Sequence, residues 1–133
     1  MYAHIASIKN RLQAALPAWV VVDGTEAQDR SELPRADVRL AGAAFEKASG
    51  PGVTLQARYL VSLVVDSSAA QQPFVQLDAA VDAAIASLHH WSPAGASARL
   101  VLQGLREMEY AQGGLFGYEL GFTLITTRQG CND

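Results

Sequence analysis

The chain has 133 residues, half of them hydrophobic and 17% charged, which fits one folded domain around a single core and excludes a disordered chain. Ten Lys and Arg stand against thirteen Asp and Glu, for a formal net charge of −3, and no basic run occurs. Docking to a nucleic-acid backbone needs clustered Lys and Arg, so direct sequence-specific nucleic-acid binding is not expected.

Ile5, Ile8, Leu12 and Leu16 recur at steps of three, four and four, the apolar stripe of an amphipathic helix that Pro17 stops. "WVVVDG" (19–24) is rich in β-branched residues and closes on Asp-Gly, so it reads as a strand ending in a turn. "TEAQDRSELPR" (25–35) is charged and poor in large apolar residues, and reads as an exposed loop. In "ADVRLAGAAFEK" (36–47), Val38 and Leu40 alternate with Asp37 and Arg39 as in a half-buried strand, and Gly42 marks a bulge or a close backbone approach. "ASGPG" (48–52) is a turn.

"VTLQARYLVSLVVD" (53–66) is the longest strand. Val53, Leu55, Ala57, Tyr59, Val61, Leu63 and Val65 share one face. The other face begins polar, with Thr54, Gln56, Arg58 and Ser62, and then gains Leu60 and Val64. Clean alternation marks a sheet with one wet face. Its loss here predicts that something covers the second face, either a helix of the same chain or another subunit. A linker leads to a helix with Pro73 in its first turn, the stripe Phe74, Leu77, Val81, Ile85 and Leu88, and Asp78 and Asp82 on a flank; "SPAG" (92–95) ends it. Two strands close the chain, near 99–110 and 115–127. The fold class is α+β, with a mixed, mainly antiparallel β-sheet of four to five strands, two helices on one face, and the order α–β–β–β–α–β–β. Residues 1–133 form a single domain, with the last few a loose tail.

The glycines of "YAQGGLFGYELGF" (110–122) raise the question of a phosphate loop. A P-loop needs Gly-x-x-x-x-Gly-Lys-Ser/Thr between a strand and a helix, and the chain has no Lys-Ser or Lys-Thr. Gly113-Gly114 reads instead as a hairpin turn with positive φ. Gly117 and Gly121 lie opposite the stripe Phe116, Tyr118, Leu120, Phe122 and Leu124, and thin that face for a close approach. His89-His90 sits near the end of the second helix, where adjacent side chains diverge by about 100° and cannot comfortably share a metal ion, so both read as structural. Glu107 and Glu109 share one face of a strand and read as a solvated edge. Asp23, Glu26 and Asp29 match no EF-hand spacing. No Gly-x-Ser-x-Gly elbow exists. The lone Cys131 excludes an internal disulfide and reads as a free thiol. The N-terminus lacks the apolar core of a signal peptide, and no run approaches the roughly 20 apolar residues that span a bilayer, so a cytoplasmic chain without a membrane partner is expected. These readings assign no catalytic residue, no metal ligand and no cofactor.

In order and character the segments "IASIKNRLQAAL", "ADVRLAGAAFE", "VTLQARYLVSLVV", "LDAAVDAAIASL" and "GYELGFTLITT" resemble the tail-terminator proteins of long-tailed bacteriophages, the minor tail protein U type, and related tail-completion and prophage tail proteins. The resemblance covers nearly the whole chain. It implies a non-enzymatic virion tail protein, present in the host cytoplasm during assembly, that forms a homo-oligomeric ring, usually a hexamer. Such a ring caps the tail tube, ends its polymerisation and offers a surface to the head–tail connector proteins. A head–tail connector adaptor and a small ligand-binding or regulatory α+β domain are the competing readings. A ring needs two different contact surfaces on each subunit. The candidates are Leu60 and Val64 on the long strand and Gly117 and Gly121 on the last one.

Overall fold

The computed structural model describes residues 2–24, 33–66, 73–109 and 114–129. Seven elements follow in chain order: α1 (Ala3–Ala15), β1 (Val20–Asp23), β2 (Arg35–Ser49), β3 (Gly52–Asp66), α2 (Pro73–Leu88), β4 (Val101–Glu109) and β5 (Leu115–Gln129). This is the expected α+β order. The charged loop expected at 25–35 lies outside the described residues up to 32, as do the linker before α2, Gly113 and the tail with Cys131.

The five strands form one sheet in the order β1-β2-β3-β5-β4. The β1–β2 pair is parallel and the other three are antiparallel. The last strand therefore inserts between β3 and β4, and β3 and β5 pair along their whole length, from Gly52 opposite Gln129 to Asp66 opposite Leu115.

Both helices cover the same face. Ile5, Ile8 and Leu12 of α1 are buried, and so are Leu77, Ala80, Val81, Ala84 and Leu88 of α2. They meet Val21, Ala36, Val38, Ala57, Tyr59, Val61, Leu63, Val65, Leu120, Phe122 and Leu124 of the sheet in one core. Each large side chain in it contributes about 2 kcal/mol through removal from water. Alanines at 80 and 84 have little bulk and let α2 sit close to the strands. Phe74, expected in the buried stripe, is instead 53% exposed, because it lies at the end of α2 beyond the core and meets only the edge of Phe116, 5.1 Å away between ring centres.

α1 ends where Pro17 follows Leu16, and the Gln13 side-chain amide donates to the capping Leu16 carbonyl at 3.1 Å and to the Trp19 carbonyl at 2.9 Å, fastening the turn into β1. α2 ends at Leu88, and two residues on His90, with φ of +64°, turns the chain while its N–H donates to the Leu100 carbonyl at 2.7 Å. Gly42 (φ +142°) follows a bulge in β2, as its sequence position implied, and Gly114 (φ +87°) has the positive φ expected of the hairpin before β5.

Beyond the helices the sheet continues bare. Positions 41–50 are all exposed, and Phe45 is 64% exposed. This end of β2, the start of β3 and the end of β5 make a three-stranded arm reaching past the core.

Candidate functional site

The side chains that are not core converge on the sheet face opposite the helices. The register explains how. Directly paired residues point to the same side of a sheet, so four cross-strand rows form there. The first is Arg35, Val64, Gly117 and Met108; the second Asp37, Ser62, Glu119 and Arg106; the third Arg39, Leu60, Gly121 and Gly104; the fourth Gly42, Arg58, Thr123 and Val101. Each row takes one residue from β2, β3, β5 and β4.

The first row is closed. Val64 has no accessible surface, and Arg35 opposite it is only 6% exposed. Arg35 Nε lies 3.3 Å from both Asp37 carboxylate oxygens, so the buried guanidinium keeps a counter-charge. Arg35 was expected in an exposed loop; it instead opens β2 and is buried there. Gly117 has a hard steric reason to be glycine: a Cβ there would collide with the Leu63 carbonyl. The close approach is that of β3 itself, not of an outside element. Val64 and Gly117, expected as contact residues, thus offer no open area in the single chain.

The second and third rows, with Arg58 of the fourth, frame a groove of about 440 Å³, lined by Arg39, Arg58, Leu60, Gln103, Gly104, Leu105, Arg106, Glu119 and Gly121. Its floor is thin because two glycines, Gly104 and Gly121, face each other across β4 and β5. A Cβ at Gly121 would find only side chains, Leu60 Cδ2 at 3.7 Å and the Arg58 guanidinium at 3.8 Å. Leu60 is 6% exposed at the bottom. Glu119, 7% exposed, accepts from Arg106 Nη2 at 3.2 Å and lies 3.7 Å from Arg39 Nη2. The Arg58 side chain makes no ion pair or hydrogen bond among the described residues. The groove therefore holds three guanidinium groups against one carboxylate and is cationic. Leu60 and Gly121, two of the four expected contact residues, are on its floor.

The remaining polar candidates serve the fold. His89 Nδ1 accepts the Leu102 N–H at 3.0 Å and so anchors the start of β4. Its ring lies 4.2 Å from that of His90, whose positive φ turns the chain after the helix. Arg11 donates to the Ser87 carbonyl at 2.8 Å and lies over the Trp91 ring at 5.0 Å, tying α1 to the end of α2. Burial pushes the Tyr59 hydroxyl up to about 12, with the Arg128 charge opposing it. Burial also holds His4 below its ordinary value, and nearby positive charge, Arg128 included, adds to this. Among the described residues, no three His, Cys, Asp or Glu side chains cluster to hold a metal ion. No described helix is long and apolar enough to cross a membrane, which says nothing of strands.

No protein-family model and no curated protein sequence matches the chain. Its fold does match a solved chain described as "Virion of native gene transfer agent (GTA) particle", with a TM-score of 0.65 and 16% sequence identity, over 92% of this chain and 93% of that one. At that identity the likeness establishes a shared fold: this chain has the architecture of a component of a gene transfer agent particle.

Proposed function

We propose that this chain is a non-catalytic structural subunit of a phage-like particle, and that within it the chain is the tail terminator: a ring, of six subunits in the family it resembles, that sits on the last layer of the tail tube and presents a surface to the head-joining proteins. The observation that carries this reading is the fold shared with the gene transfer agent virion chain over nearly the full length of both. The distribution of side chains supports it. The helical layer closes one face of the sheet, while the other face keeps a cationic groove and the arm keeps bare apolar surface. Ring subunits need such distinct open surfaces.

Deletion in the particle-producing cell, followed by electron microscopy, tests the assignment. Overlong tubes without heads are the expected result. Tubes of normal length without heads would move the chain to the head–tail connector. Intact, infectious or DNA-transferring particles would overturn both stations.

A further inference from the structure

The cationic groove has a match on the same chain. The exposed positions of α2 are Phe74, Val75, Asp78, Ala79, Asp82 and Ala86. At 100° per residue they fall within one arc of the helix, turned away from the sheet except at Phe74, whose ring meets Phe116 at the arc's edge. This strip carries two carboxylates one turn apart and no basic residue. Its alanines permit a close approach, and Phe74 and Val75 are 53% and 61% exposed at one end. The groove on the far side of the sheet shows the complement: a floor of Gly104, Gly121 and Leu60, and a rim of Arg39, Arg58 and Arg106. The charge of the groove selects α2 over α1, which carries Lys9 and Arg11 and no carboxylate.

We propose that α2 of a second copy of this chain docks in this groove, with Asp78 and Asp82 facing Arg58 and the other rim arginines. Arg58 is the guanidinium left over once Glu119 has taken Arg39 and Arg106. The contact joins the helical side of one subunit to the sheet side of the next. It is heterologous, and repeated with rotation it closes a ring. The inference rests on the ring reading above and specifies the interface of that ring.

The test uses the full chain under conditions where it assembles, read by sedimentation and electron microscopy. Arg58→Glu disables the groove, and Asp78→Arg with Asp82→Arg disables the helix. All three positions are exposed, and circular dichroism should show each variant folded. Each is expected to sediment as monomer where the parent forms rings, with assembly weakened tenfold or more. A chain carrying all three substitutions restores the charge match with its signs reversed, and should recover rings. If the parent forms rings and both variants do so equally well, this interface is wrong and the ring reading stands. If the parent fails to assemble alone and on tube ends, the ring reading fails and takes this inference with it. If Arg58→Glu weakens assembly but the α2 variant does not, the groove holds some other acidic group. If Arg58→Glu leaves rings intact and abolishes only binding to duplex DNA, the groove is a phosphate site. Either result overturns the proposal.

Discussion

The sheet has two faces built from the same strands, and they obey different physics. On the helix-covered face, Val38, Val61, Leu120 and their neighbours are held by burial alone, and nearly every side chain is apolar. On the opposite face the matching positions carry Arg39, Leu60, Glu119, Gly121 and Arg106, which interact through charge and through the absence of bulk. Burial is non-directional and tolerates small adjustments. Charge pairs half open to water contribute little to stability, yet they discriminate strongly between partners. The first face keeps the chain folded; the second is free to be specific.

The two glycines of β5 give the sharpest way to break this comparison. Gly117→Val puts side-chain atoms against the Leu63 backbone, which can move only by opening the β3–β5 ladder, and should cost about 3 kcal/mol or more. Gly121→Ala meets only movable side chains and should change stability by less than about 0.5 kcal/mol while filling the groove floor. Denaturant titration of both variants decides it, and equal losses would mean that the two glycines play one role.

The next effect comes from the core face. Tyr59 is fully buried with its hydroxyl raised to about 12. The folded state then holds a proton that the unfolded chain gives up near pH 10. Stability is intact below that point and falls as pH rises from about 10 to 12, by on the order of 2 kcal/mol. Tyr59→Phe should flatten this alkaline limb of the melting curve. His4 works at the acid end: burial lowers its value, so stability present above pH 6.5 declines as pH falls below it.

The smallest effect belongs to the open face. Glu119→Gln leaves Arg39 and Arg106 without their carboxylate, but both are more than half exposed and can turn to water. The expected loss is about 1 kcal/mol by denaturant titration. A loss of several kcal/mol would show that Glu119 holds the strands together and not just the groove.

Much of the fold was legible because periodicity is local. The α1 stripe, the doubly apolar end of β3 and the alternation of β5 each show within a dozen residues. Phe74 fitted the helical stripe equally well, but no local pattern reveals where the facing sheet ends. The groove was hardest to see. Arg39, Arg58, Arg106 and Glu119 come from four strands, and only the insertion of β5 between β3 and β4 brings them together. Gly117 and Gly121 look alike in sequence; what separates them is the position of the Leu63 carbonyl across the ladder. The apolar end of the second face of β3 led to the expectation of a cover by a helix of the chain or another subunit; both helices lie on the other side, and Val64 is buried beside Arg35 and Gly117 within its own row.

The irregularities of the sheet bear on how the free chain keeps its own company. Among the described residues, β1 shields β2 only from Arg35 to Val38, so the rest of β2 is an open edge, and β4 is the other. Both are interrupted: β2 between Leu40 and Gly42 and between Phe45 and Lys47, β4 between Leu102 and Gly104. A bulged edge bends away and breaks the ladder that an incoming strand would need. Fibre growth by strand addition is thereby discouraged along both edges, which favours contacts between copies through faces and not through ladders.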